Sequence, residues 1–395
     1  MNDTGNERRM NNPESIQEAS LAEIAFVFLK LGTIAFGGPA AHLAMMEEEF
    51  VRRRCWITEA EFLDRLAAAN LIPGPSSTEV AIFIGQLKRG WPGLVMAGSC
   101  FIIPAAVIVS LIAWAYVRYG SLPQAAGVLY AIKPVVVAIV IQALGKLART
   151  GVRSSLLAAI AGLAAVLCVL GVSPIAVLVV AGIVSATSLA MKNRLMALSV
   201  LGTPGMLAAP ALLVTTGVAA SFGLGRLFVS FLKIGSVVFG SGYVLLPFMQ
   251  AEFVERLHWL TDKQLIDAVA VGQFTPGPLF TTATFIGYVV GGWAGAAVAT
   301  VGIFLPGFVL VALSGPVIPW IRRSPWAAAA LDGVIAGSLA LMAVVTWQLG
   351  KAAIVDRTTL VVFLASVLVL VRFRINSAWL IGAAALGGFV LRAWR

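Results

Sequence analysis

Two tripeptides carry most of the chemical interest of this chain. Pro73-Gly74-Pro75 and Pro276-Gly277-Pro278 lie inside long apolar stretches. No continuous helix runs through them, because the prolines remove backbone donors and the glycine admits dihedrals closed to other residues. At membrane depth such a break is tolerated only where neighbouring protein or a water-filled cavity satisfies the freed backbone groups. Hydroxyls follow at once: Ser76, Ser77 and Thr78 after the first break, Thr281, Thr282 and Thr284 after the second. Hydroxyls and free N–H groups at the start of a half-helix, with its positive dipole end aimed into a cavity, make a receptor for an oxyanion. The same residues also suit a plain proline kink whose hydroxyls bond back to their own helix. Asn70 and Gln273 precede each break by three residues. Their amides can donate to an oxyanion without the desolvation cost of a charge.

Phe36-Gly37-Gly38-Pro39 and Phe239-Gly240-Ser241-Gly242 interrupt two further apolar segments. Their glycines either let another helix approach closely or open the backbone to a ligand. Lys30 and Lys233 lie six residues upstream of these interruptions. A charge there either faces a partner or an aqueous path, or snorkels to the interface. Glu49 with Asp64, and Glu252 with Asp267, flank Trp56 and Trp259. These carboxylates either carry a coupling proton, as gating groups, or pair with Arg53 and Arg256.

Other chemistries lack their residues. There is no GxxxxGK[ST] phosphate loop and no HExxH, and the only histidines are His42 and His258, so no ATP motor, metal cluster or cofactor is expected. Cys55, Cys100 and Cys168 form no CxxC motif and read as packing residues. A membrane-embedded enzyme acting on lipid phosphate would need a converging nucleophile and base, and none stands out. No charged soluble domain offers itself to nucleic acid. Gly291 and Gly295 give a GxxxG spacing suited to helix packing or a homodimer.

The candidate residues come in pairs because the chain repeats itself. From Phe28 to Pro75 it recurs 203 residues later without a gap: Phe28-Leu29-Lys30-Leu31-Gly32 as Phe231-Leu232-Lys233-Ile234-Gly235, and Glu49-Phe50-Val51 as Glu252-Phe253-Val254. After one deletion the offset is 202, aligning Gly90-Trp91 with Gly292-Trp293 and Pro104 with Pro306. Identities at Lys, Glu, Asp and Trp in one register exclude a chance likeness of two apolar stretches. The reading divides the chain into a polar tail (1–20), a first half (21–192), a linking segment that could itself cross the membrane (193–226) and a second half (227–395). Apolar segments fall at 21–46, 62–87, 94–117, 122–144, 155–170 and 173–191, and again at 227–249, 265–290, 294–317, 327–349, 358–371 and 375–391.

Composition places these segments in lipid. Of 395 residues, 59% are hydrophobic and 12% charged, half the charged share of a soluble domain. The uncharged runs 154–191 and 268–321 each far exceed the roughly 20 residues a spanning helix needs. The first 20 residues are polar and mixed in charge, unlike a signal peptide. A net charge of +10 fits either cytoplasmic loops that collect Lys and Arg or a vestibule that attracts anions. The loop charges favour even-numbered loops in the first half (Lys88, Arg89, Lys146, Arg149, Arg153, Lys192, Arg194) and odd-numbered ones in the second (Arg256, Lys263, Arg322, Arg323, Arg372, Arg374). That reversal predicts an all-α polytopic membrane protein built from two inverted repeats with broken helices.

The paired Phe-Gly signatures, each followed by Glu-Phe-Val, Trp and Pro-Gly-Pro, resemble the chromate ion transporter family, and the two-half arrangement looks like its long-chain members. The resemblance covers nearly the whole chain. It implies a multi-pass secondary transporter of the cytoplasmic (inner) membrane that expels chromate at the expense of the proton motive force and confers chromate resistance. The implied site is the Phe-Gly pairs, Glu49, Glu252 and the two Pro-Gly-Pro turns. Because Ser76-Ser77 stand opposite Leu279-Phe280, the two halves cannot carry equivalent sites. Sulfate is a tetrahedral dianion like chromate, so a sulfate-type carrier stays open as the alternative.

Overall fold

In the computed structural model, which describes residues 19–36, 38–120, 122–198, 222–240, 242–373 and 377–393, each repeat opens with an apolar helix that stops at its Phe-Gly pair. Helix α1 (Leu21–Ile34) is capped by Ser20, whose side chain accepts from the Glu23 N–H. Helix α2 (Gly38–Glu47) runs on into a π-helical turn, Glu48–Arg53. Helix α3 (Glu59–Ala69) starts on a Thr58/Glu61 capping box, which satisfies two orphan N–H groups reciprocally. A two-residue strand β1 (Gly74–Pro75) leads into α4 (Ser76–Tyr119), and α5 (Pro123–Gly151), α6 (Ser155–Val169) and α7 (Pro174–Leu198) complete the half.

The second half repeats this plan with α8 (Leu224–Gly235), strand β2 (Phe239–Gly240), α9 (Leu245–Met249), α10 (Asp262–Phe274), α11 (Thr282–Arg323), α12 (Pro325–Ala353), α13 (Arg357–Phe373) and α14 (Ser377–Ala393). Its π-helical turn, Gln250–Arg256, and its Thr261/Gln264 capping box stand at the equivalent places. Cys55 and His258, 203 residues apart, both adopt a positive φ between π turn and capping box. Cys55 therefore turns the chain, beyond the packing role expected of it. Stacked aromatics recur too: Phe28–Phe50–Trp56 in one half, Phe231–Phe253–Trp259 in the other.

Segments 62–87 and 94–117 are not two simple spans. The first is cut at Pro-Gly-Pro into α3 and the start of α4, and α4 reverses direction at Arg89 and Gly90, where the dihedrals are non-helical. The result is a hairpin with a short arm (76–88) and a long arm (91–119). A Cβ on Gly85 would lie 2.2 Å from the Gly93 carbonyl oxygen, so only glycine allows the two arms to approach. Helix α11 reverses likewise at Gly291 and Gly292, with Gly287 set against Gly295. The Gly291 and Gly295 pair is thus engaged within its own chain, against Phe222 and Gly287. At 1.5 Å per residue the short arm of α4 is about 20 Å long, less than the ~30 Å hydrocarbon core.

Among the described residues, four helical stretches are long and apolar enough to cross a membrane: Ser76–Tyr119, Ala126–Gly151, Leu279–Ser314 and Pro325–Ala353. They form two equivalent pairs. Gly277 abuts Ala105 and Phe285 packs on the Tyr116 ring, so the short arm of α11 runs in the same direction as the long arm of α4. Within the α11 hairpin Thr284 bonds to Thr300 at 2.7 Å, so its arms are antiparallel. The two long arms therefore run in opposite directions, and the halves are upside down relative to each other. They are also interlaced, since α5 packs on α14 and α7 on α12. Residues 1–18 and most of the linking segment, 199–221, lie outside the described residues.

Candidate functional site

The freed backbone at each Pro-Gly-Pro finds its partner in the opposite half. The Gly74 N–H donates to the Val238 carbonyl at 2.7 Å, and the Gly277 N–H to the Ala35 carbonyl at 2.9 Å. Donors and acceptors are both related by the offset of 203, so the two bonds are one interaction made twice. Strand β1 lies parallel to β2, with Gly74 opposite Phe239 and Pro75 opposite Gly240. Thus each Pro-Gly-Pro break crosses the Phe-Gly interruption of the other repeat. Gly277 has φ +89, and a Cβ there would meet that of Ala105 at 2.6 Å; the crossing leaves no room for a side chain. Gly38 has a positive φ of 78, and Phe36 is exposed. Gly37 and Ser241 lie outside the described residues.

Most hydroxyls at the crossings are engaged. Ser76 donates to Asn70 Oδ1 at 3.0 Å. His42 lies 3.0 Å from the Ala35 carbonyl through Nε2 and 3.3 Å from Ser77 Oγ through Nδ1. Because a carbonyl only accepts, a neutral His42 carries its proton on Nε2 and accepts the Ser77 hydroxyl at Nδ1. Thr281 and Thr282 bond back to the carbonyls of Pro278 and Leu279, each at 2.8 Å. Tyr243 donates to Gln273 Oε1 at 3.1 Å. Among the described residues at the crossings, two buried donors have no hydrogen-bond partner: Gln273 Nε2 and Thr78 Oγ1. Both can donate, one stands at each crossing, and a small cavity of about 10 Å³ opens beside Gln273, Tyr243 and Thr282. Buried donors without partners are costly unless something accepts from them.

The charged candidates divide into three groups. Glu49 accepts from Arg54 Nε at 2.7 Å and from Arg53 at 3.2 Å, and Arg54 also holds Glu23. Glu252 accepts from Ser230 Oγ at 2.6 Å and pairs with Arg256, with Lys233 Nζ 3.9 Å away. Asp267 pairs instead across the halves, with Lys133 of α5 at 3.4 Å and the Tyr116 hydroxyl of α4 at 3.0 Å. It is buried, whereas its equivalent Asp64 lies exposed on α3. Lys30 and Lys233 are both exposed. Lys233, Glu252, Glu255 and Arg256, with the turn from Cys168 to Ile175 of the first half, line a cavity of about 340 Å³ between the halves, which holds two cations and two carboxylates.

A family model described as "Chromate transporter" matches residues 22–186 and again 225–389. The chain belongs to the chromate transporter family. It is 34% identical over 377 residues to a chromate transport protein of Cupriavidus metallidurans, covering 94% of this chain and 93% of that one. It is 31% identical to a probable chromate transport protein of Synechococcus elongatus over 92% and 91% of the two chains. With a chromate transport protein of Pseudomonas aeruginosa it shares 32% identity over 82% and 80%. No solved structure matches. The double match agrees with the two repeats, and the chain is an all-α multi-pass membrane protein.

For this member of the chromate transporter family, searching the sequence for recurrence overlooks five residues that the structure places among the candidates. Arg54, Lys133 and Tyr116 hold carboxylates, His42 ties Ser77 to Ala35, and Glu79 lies fully buried beside Gly74. None of the five recurs at its equivalent position. An acidic or basic residue inside an apolar run is a signal by itself, and it marks both Glu79 and Lys133.

Proposed function

We propose that this protein is a secondary transporter that exports chromate across the cytoplasmic membrane, driven by the proton motive force, and so confers chromate resistance. The observation that carries this reading is the reciprocal crossing: two half-helix starts, each braced by the other repeat, with a buried unpartnered donor beside each. Thr78 and Gln273 supply neutral donors to oxyanion oxygens, and the N-terminus of α4 adds its dipole. Two inverted halves that share one pair of crossings can rock about them, which opens the site to either face in turn. The cavity around Lys233 and Arg256, between the halves, serves as an entrance, with Glu252 releasing these cations toward an incoming anion.

Hydrogen bonds to a tetrahedral dianion do not distinguish chromium from sulfur at its centre, and it is the names of the relatives that favour chromate. The test is chromate efflux from loaded vesicles with sulfate as competitor. Saturable chromate efflux is expected, and brisk sulfate movement without chromate movement would replace this reading with a sulfate-type carrier.

A further inference from the structure

Glu79 breaks the symmetry of the two crossings. It lies in the first turn of α4, and the residue 203 positions later is Thr282. Its exposure is 0%, and neither carboxyl oxygen has a hydrogen-bond partner. Among the described residues no cation lies within ion-pair distance of it. The side chain curls back over the Pro-Gly-Pro turn: a Cβ on Gly74 would lie 2.1 Å from Oε1, and one on Gly307 of α11 would lie 3.9 Å from it. Glycine at position 74 therefore leaves the room that the carboxyl fills, at the crossing itself.

The surroundings offer the carboxyl little charge compensation. From α2 comes His42, which is bonded to Ala35 and Ser77. From α3 come Asp64, which is exposed, and Arg65, whose guanidinium lies over the Phe83 ring at 5.9 Å. From α1 come Glu23, paired with Arg54, and Lys30, which is exposed. The packed face of α11 brings no charge, since its sequence has none from Thr282 to Ile321. An ionised carboxylate without a partner is not tolerated in such a place; it takes a proton or leaves the packed interior.

We propose that Glu79 is the proton-binding group of the transport cycle, taking up one proton when an oxyanion enters the adjacent crossing and the side chain packs as seen here, and releasing it to water when the oxyanion departs and the carboxyl leaves the packed interior. This rests on the oxyanion reading given above. A carboxylate and a dianion in one low-dielectric site repel each other, so each favours the other's neutralised or absent state. Proton and oxyanion therefore bind together. The proton comes from water on the face to which the site is open and returns to water on the opposite face. No covalent bond other than O–H is made or broken. The loaded site carries a dianion and one proton, so a single net negative charge moves, and a membrane potential negative inside drives that charge outward.

The experiment uses the full chain in liposomes, with chromate flux and lumenal pH followed in the same vesicles. In the wild type, chromate flux should carry protons with it and should vary by up to about tenfold per pH unit where one proton is required. In Glu79→Gln, which resembles the protonated acid, the chromate flux that remains should carry no protons and show no pH dependence, and Glu79→Asp should restore both. A Gln variant that moves protons and responds to pH like the wild type overturns the proposal while leaving the oxyanion reading intact. Absence of chromate flux in the wild type overturns both. A second measurement needs no variant: an apolar carbodiimide, which reacts with protonated carboxyls, should label Glu79 more strongly when chromate is present, and labelling indifferent to chromate contradicts the linkage.

Discussion

The two crossings share a backbone but not a chemistry. Each pairs a Pro-Gly-Pro glycine N–H with a carbonyl just before the opposite Phe-Gly pair, Gly74 with Val238 and Gly277 with Ala35. Beside the first Pro-Gly-Pro stand Ser77 and the buried Glu79; beside the second, Gln273 and threonines that bond to their own turn; His42 ties Ser77 to Ala35 of the other crossing, and Tyr243 reaches Gln273. The carboxylates differ in the same sense, Asp267 being buried in a triad with Lys133 and Tyr116 while Asp64 faces outward. Duplication preserved what the backbone needs and released the side chains to specialise. One half can titrate while the other only donates.

The strongest way to break this comparison is to attack what is shared. Gly277→Leu forces a side chain into Ala105 at a backbone of positive φ, and overpacking in such a place is poorly tolerated. Chromate flux in liposomes should vanish, with membrane insertion unchanged on fractionation, and Pro276→Ala should do the same. Flux equal to that of the wild type would remove the crossing from the transport path.

The next contrast lies between the two aspartates. Asp267→Asn leaves the part-buried Lys133 ammonium without its countercharge, and breaking a fully buried pair costs about 3 to 5 kcal/mol, an upper bound here. Asp64→Asn, on an exposed site, should stay within about 0.5 kcal/mol. Thermal unfolding in detergent should show the first clearly destabilised and the second near the wild type; equal shifts would mean that the triad contributes no more than a surface carboxylate.

Smaller effects separate donors and cations. Thr78→Val removes an unpartnered donor and should weaken chromate affinity in a competition assay, by about tenfold or more for one hydrogen bond to a charged group. Thr281→Val removes only a bond to the Pro278 carbonyl and should leave affinity close to that of the wild type. Lys233→Met, at the cavity beside Glu252, should slow flux more than Lys192→Met, which does not recur in the repeat, by a few-fold because the site is solvated. Equal slowing by both would make Lys233 an interfacial anchor.

Much of this architecture is legible in the residues, and the limits have physical causes. The repeat is plain because Lys30, Glu49, Trp56 and Asp64 recur in an ungapped register, and the breaks are plain because proline and glycine punctuate apolar runs wherever they occur. What the breaks cross is not legible: a bond from Gly74 to Val238 spans two repeats, and no local pattern encodes it. The reversal at Arg89 and Gly90 hides within a loop between expected spans, although the Gly85 and Gly93 spacing serves it. Glu79 and Lys133 escape any search for symmetry because their function, as read here, lies in the departure from it.

The first half's Pro-Gly-Pro strand lies beside the second half's Phe-Gly strand, and the proposed transport path runs through that pairing. Neighbouring strands stand about 4.8 Å apart, within the span a disulfide bridges. Pro75→Cys together with Gly240→Cys, residues opposite each other in the register, should therefore form an intrachain disulfide on oxidation once Cys55, Cys100 and Cys168 are replaced by alanine. The bond should form, and chromate flux should stop until a reductant restores it. Failure of the two cysteines to join in a folded, flux-competent protein would contradict the crossing on which the rest depends.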